Sequence, residues 1–472
     1  MDGITTGRVS MSPAPASATE TIDERITERA KEIAEVEMAK LLDATPASKA
    51  MFERATKSMP GGVASSFQLG DPYPIYLASG VGPEVVDVDG NRYFDFHNGF
   101  GSMAVGHANP IVAEAVENAA RTGMHFAVTT EAAVALAEEL CRRFKVDQVR
   151  MTNSGTESTS TCIRVARAAT GRDVIAKIEG SYHGHVDQLM YSVLPGADVM
   201  GGRDEPATVP KSKGVPAGMA QWIRVVPFND AAAFERLLQA EGDKIAALIM
   251  EPVMMNIGIV LPQPGYLERI RELCTQYGVV LIFDEVKCGA TIASGGATER
   301  FGVTPDLSAW AKAIGGGAAI GAIGGKAEIM DQINQGAAHQ GTFNGNPLSA
   351  AAALATLTKV LTPEAYAHFD ALGARLAAGL NASIAEFDIP ANVIDLGCKG
   401  CVTYRREPLT CYRDFLDTNT ELYNASYPWM VNRGVFMTPG DEEQWTLSVQ
   451  HQNANIDRYV DAFAEFCAAL AA

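Results

Sequence analysis

Two residues of complementary chemistry stand 28 positions apart: Asp284, closing the apolar run VLIFD, and Lys312, inside SAWAKAIGGG. A carboxylate at the C-terminal end of a buried strand carries a fixed negative charge. A lysine near the same edge offers an amine whose pKa falls readily on burial. The pair suits pyridoxal phosphate, with the acid keeping the pyridine nitrogen protonated and the amine holding the aldehyde as a Schiff base. The plain alternative is a capping carboxylate and a solvated surface lysine.

A place for the phosphate lies upstream. In MTNSGTESTS, Ser154 and Glu157 have the spacing of a helix capping box, with Gly155 and Thr156 between them. A helix beginning here presents free N–H groups and the positive end of its dipole. Gly155 permits close backbone approach and Thr156 adds a hydroxyl. An ordinary capped helix has the same spacing, so the order of further motifs has to decide.

Those motifs are GSYHGH at 180–185, MEPVMMN at 250–256, FDEV at 283–286, the lysine before IGGG, and GTFNGNP at 341–347. Together they resemble the class III aminotransferases of PLP fold type I. Nearest in pattern are glutamate-1-semialdehyde 2,1-aminomutase and its amine and β-amino acid transaminase relatives. The resemblance runs from about Phe52 to about Ile456. It implies that Lys312 bonds the cofactor and shuttles a proton, and that Asp284 pairs with the pyridinium. It also implies that Tyr182 stacks on the ring beside His183 and that Asn256 bonds the ring hydroxyl. Gly155 and Thr156 would cradle the phosphate, and Thr342 would reach it from the neighbouring subunit of a homodimer. A packed loop is the alternative for Tyr182 and His183, and a satisfied loop backbone the alternative for Asn256.

Departures from the pattern bear on the substrate. The aminomutases carry an arginine shortly after MPGGV that grips a carboxylate, and Gln68 stands there here; it supplies neither the charge nor the fork. Phe100 replaces a tryptophan, and WTLSVQH lacks an arginine that many relatives carry. Arg405 and Arg406 remain as candidates for a carboxylate. Phe67, Gln68, Phe100 and Trp445 are expected to line an apolar substrate pocket. The resulting expectation is an aminotransferase moving an amino group between an amine or β-amino acid and a keto acid or aldehyde. The alternatives are an intramolecular aminomutase and a catalytically silent relative.

Composition is compatible with a cytoplasmic enzyme acting on small molecules. A net charge of −18 over 472 residues disfavours nucleic acid and anionic membrane surfaces. No basic start followed by an apolar stretch marks a secretory signal. The eight cysteines are scattered; Cys398 and Cys401 form a lone C-x-x-C, and no metal site is expected.

The elements that must position these groups follow from periodicity. Residues 1–20 read as disordered, and a helix with Thr21 as cap follows, with Ile22, Ile26, Ile33, Val36 and Leu41 on its apolar stripe. Residues 1–45 form an extension expected to pack on a dimer or higher assembly. EVVDVDGNRYFDF reads as a hairpin around Asp89-Gly90. Strands at 173–178, 245–250 and 279–283 alternate with helices after Ser154 and over 265–277, which implies an α/β fold: a mainly parallel sheet with helices on both faces plus a smaller α+β domain. The large cofactor domain is expected over 101–350, and the small domain over 46–100 and 351–472.

Overall fold

The computed structural model describes residues 18–440 and 444–472. The central sheet contains β1 (Gln148–Thr152), β2 (Val174–Ile178), β3 (Ile223–Val226), β4 (Ile245–Met250), β5 (Val280–Asp284), β6 (Leu307–Trp310) and β7 (Gly321–Gly325). Their order across the sheet is β1-β7-β6-β5-β4-β2-β3, and β7 alone runs antiparallel to its neighbours. Strands covered on both faces read as unbroken apolar runs, and IAALIM and VLIFD are buried at every position. Alternate side chains part to opposite faces. Ala176, Leu248, Leu281 and Phe283 join one core with the helices Ala231–Glu241 and Tyr266–Tyr277. Ile175, Ala247, Ile249 and Ile282 join another with Cys162, Ile163 and Val165 of the helix Gly155–Thr170.

Two small sheets flank this layer. The hairpin Glu84–Asp87 and Arg92–Asp95 forms as its turn residues require, joined by Leu77–Val81 and Val435–Phe436. Asn392–Asp395, Lys399–Thr403 and Trp445–Thr446 make the other. Among the described residues no helix is long and apolar enough to cross a membrane, and no cluster of His, Cys, Asp and Glu could hold a metal. Cys398 and Cys401 are buried free thiols.

The N-terminal helix, Ala18–Ala44, departs from the sequence reading in two ways. It begins before Thr21, so that residue is not its cap; the rest of the stretch read as disordered, 1–17, lies outside the described residues. Val36 is 54% exposed, whereas Ala30 and Glu37 join Ile26, Ile33 and Leu41 in burial. The buried face lies against the chain's own helices Thr420–Asn432 and Asn453–Ala471. Polar ties finish the contact: Asn432 donates to Glu37 at 2.8 Å, Asn419 to Thr27 at 2.7 Å, and Arg29 to the Ala469 carbonyl at 3.1 Å.

Candidate active site

A cavity of about 380 Å³ opens beyond the C-terminal ends of the parallel strands, where open α/β sheets place their ligands. Each strand end delivers one wall. After β1 the chain turns at Ser154, whose hydroxyl accepts from the Glu157 N–H at 3.2 Å and starts the helix Gly155–Thr170. Glu157 answers by accepting from the Asn153 N–H at 2.7 Å, one residue before the position of a regular capping box. After β2 comes the loop carrying Tyr182 and His183. Asp284 closes β5, and Lys312 follows β6. Lys312 has φ +51°, a left-handed conformation rare for a side-chain-bearing residue and concentrated at functional sites.

At one end of the cavity the carboxylate and the histidine meet. His183 Nδ1 lies 2.7 Å from Asp284 Oδ2, and the Val286 N–H donates to Oδ1 at 3.0 Å. Glu251, one residue past β4, sits behind them. Its oxygens accept from the N–H groups of Met255 at 2.9 Å and Tyr182 at 3.3 Å, and its side chain bonds that of Asn256. Burial pushes the Glu251 carboxyl above its usual range with Asp284 adding to the rise, and the nearby His183 and the hydrogen bonds from Met255 and Asn256 oppose it. Burial also raises the Tyr182 hydroxyl, with Asp284 adding to it.

At the other end Gly155, Thr156 and Gly184 form a backbone pocket. A Cβ on Gly155 would lie 2.9 Å from Val286, and one on Gly184, at φ +92°, would lie 2.6 Å from the Thr156 hydroxyl. Thr159 locks this arrangement by donating to the His183 carbonyl at 2.6 Å.

The cavity suits a phosphorylated pyridine. A helix N-terminus with glycine-lined backbone stands at one end for the phosphate. A buried carboxylate stands at the other for a ring nitrogen, and Tyr182 and Lys312 line the same cavity. His183 Nε2 is a buried polar atom with no partner among the described residues, so this wall is polar beyond its own needs.

Of the residues singled out in the sequence, Gly155, Thr156, Tyr182, His183, Asn256, Asp284 and Lys312 all line this cavity, as do Phe67 and Phe100. Thr342 does not: it is exposed, and its loop approaches through Asn344, which accepts from Asn153 at 2.8 Å. Two expectations need correcting, those for Trp445 and for the two arginines. Trp445 is 4% exposed and lies 6.4 Å ring to ring from Tyr459, because its two-residue strand is laid into the smaller sheet's core. Gln68 accepts from the Ala64 N–H at 3.2 Å and lines a second cavity that shares Phe67 and Phe100 with this one. Arg406 is drawn 2.5 Å from Asp23 and 2.8 Å from Asp388, while Arg405 donates to the Glu407 carbonyl; neither reaches the site.

Sequence reasoning passed over Lys287, which is buried, lines the cavity and donates to the Met255 carbonyl at 2.7 Å. The available signal was a lysine three residues after Asp284 in a stretch otherwise too apolar for surface. Asn153 and Gly184 were also missed, each being adjacent to a residue already chosen.

This sheet order, with a lysine and a carboxylate on one cavity at its strand ends, defines a fold type I pyridoxal phosphate enzyme. The chain belongs to the class III aminotransferases: the family model, "Aminotransferase class-III", matches residues 68–408. It is 41% identical over 421 residues to glutamate-1-semialdehyde 2,1-aminomutase 2 of Exiguobacterium sibiricum, covering 88% of this chain and 95% of that one. An omega-transaminase from Sphaerobacter thermophilus superposes with a TM-score of 0.84 at 37% identity, covering 90% of this chain and 97% of that one. A β-phenylalanine aminotransferase from Variovorax paradoxus gives 0.82 at 30% identity, covering 94% and 98%. The cofactor is pyridoxal phosphate.

Proposed function

We propose that the chain is an aminotransferase that exchanges an amino group between an amine or β-amino acid and a keto acid or aldehyde, in two half-reactions on one site. The carrying observation is that no arginine is among the described residues lining the cofactor cavity, while Phe67, Phe100 and Tyr182 cluster on one side of it. The Phe67 ring lies 5.4 Å from Tyr182, edge-on, and 5.8 Å from Phe100. An α-carboxylate would find no forked partner here, whereas an apolar amine finds aromatic surface.

Bound in the cavity, pyridoxal phosphate supplies the electron sink that lets a carbon–hydrogen bond beside the nitrogen break. Asp284, oriented by His183 and the Val286 N–H, holds the proton on the ring nitrogen. Asn256, steadied by Glu251, would hydrogen-bond the ring hydroxyl, and Tyr182 would supply aromatic surface to the ring. Gly155 and Thr156 bind the phosphate, with Thr342 reaching it from the other subunit of a homodimer. Lys312 anchors the cofactor and then moves the proton at the substrate carbon. The eight free cysteines, seven of them buried, accord with a reduced cytoplasmic setting.

The second reading is an aminomutase that returns the amino group to the same molecule, favoured by similarity to the Exiguobacterium protein. Stoichiometric half-reactions separate the two. Phenylalkyl amines and β-amino acids should convert the cofactor to its amine form and release one carbonyl product per site. Lys312→Ala should abolish this while still binding the cofactor noncovalently. Reaction with dicarboxylic amino acids or glutamate-1-semialdehyde alone would overturn the proposal.

A further inference from the structure

Beside the cofactor cavity lies a second, larger one of about 850 Å³. Phe67 and Phe100 are walls of both, so the two spaces adjoin at this aromatic pair. Its far side is built by the N-terminal helix through Met38, Leu41 and Leu42, a segment that precedes the residues matched by the family model. The inner wall is the loop that also carries Leu69. Among the described lining residues there is no lysine or arginine, and Asp71 is the single carboxylate.

The backbone fixes this aromatic pair from both sides. Phe67 sits on the short turn Ser66–Gln68, pinned by the Gln68 bond to the Ala64 N–H. Phe100 has φ +54° in a left-handed run with Asn98 and Gly99. That run is tied down by Asn98, which donates to the Asp95 and Thr446 carbonyls at 2.6 and 2.7 Å. A pocket of about 300–1,000 Å³ accommodates one drug-sized ligand, and the smaller cavity must already house the phosphate, the ring and the reacting carbon. Whatever extends beyond that carbon has the second cavity to enter.

Building on the amine-transaminase reading, we propose that the second cavity is the substrate's distal subsite, taking an extended, uncharged apolar tail that runs past the packed Phe67–Phe100 pair. The N-terminal extension then has a role in specificity, because it supplies the outer wall. A tail ending in a carboxylate is disfavoured: it would lose water without gaining a cation and would stand near Asp71.

The test uses the holoenzyme with unreactive 1-alkanols from butanol to octanol in calorimetry, and the matching primary amines in turnover. Affinity for the alkanols and kcat/KM for the amines should each rise roughly fourfold per methylene. Octylamine should exceed 8-aminooctanoate by about tenfold or more. Leu42→Trp and Leu69→Trp each place a larger side chain in the lining, one from the N-terminal helix and one from the loop after Phe67. Either should lower the octanol-to-butanol affinity ratio by about fifteenfold, the equivalent of two displaced methylenes. No chain-length dependence, or ratios unchanged in both folded variants, would overturn the subsite. If the alkanol series behaves as expected but no amine converts the cofactor, the subsite stands and the amine reading falls.

Discussion

Asp284 acts through the groups that hold it. Its two oxygens are taken by His183 and by the Val286 N–H, so its direction is set before any cofactor arrives. If its charge is what matters, Asp284→Asn should be as damaging as Asp284→Ala, each slowing the half-reaction by roughly 10²–10³-fold. His183→Ala removes one hydrogen bond to a charged group, worth about 1.5–3 kcal/mol. That predicts a loss of roughly ten- to a hundredfold. Stopped-flow rates for the three variants check the ranking; an Asn variant near the wild-type rate would remove charge from the argument. The sequence disclosed Asp284 and Lys312 because few other residues do their chemistry. It did not disclose Glu251's service to Asn256 and Tyr182, since an acid after a buried strand has many uses.

At the scale of elements, β5 and the segment after it show how a strand end is fastened. Glu285, next to Asp284, turns to the opposite face, where its Oε2 accepts from the Ala297 N–H at 2.7 Å at the start of the helix Gly296–Phe301. Burial pushes its carboxyl up to about 7 from an ordinary 4.5. The folded protein therefore binds this proton more tightly than the unfolded chain. Its contribution to stability is fully present below about 4.5 and is lost as pH rises through about 7. Glu285→Gln, which cannot ionise, should gain melting temperature relative to wild type between pH 5 and 8, as scanning calorimetry would show. A difference that stays flat over that range would refute the assignment. The strands and the Ser154 cap were legible because buried parallel strands need continuous apolar runs and helix ends need caps. The start of the N-terminal helix was not, because Thr21 and Glu24 have the right spacing yet lie inside it.

For the whole molecule, the extension is an internal buttress. Residues Ile26, Ile33 and Leu41 are buried by other parts of the same chain, at about 1.5–3 kcal/mol for each aliphatic side chain. Removing residues 1–44 should lower the melting temperature by roughly 5 °C or more. Unchanged melting would mean the helix contributes nothing to the subunit. Thr342 speaks to assembly. It is exposed and outside its own subunit's cavity, so a role in holding phosphate requires a partner. Thr342→Ala should weaken cofactor retention by roughly ten- to a hundredfold, the effect of one charge-assisted hydrogen bond. Retention equal to wild type in equilibrium dialysis would argue against the shared site.

What the chain's order of residues determined alone was chemistry and sequence of parts: an acid after a strand, a lysine before glycines, a capped helix, and apolar runs long enough for a buried sheet. These are local, because strand burial, capping and residue type depend on near neighbours. Only the tertiary structure decided which distant side chains share a space. It sent Trp445 into a core and Arg406 to Asp23, turned Gln68 toward Ala64, and set the N-terminal helix as a wall of a second cavity. Those outcomes depend on packing between segments hundreds of residues apart, and no spacing along the chain encodes them.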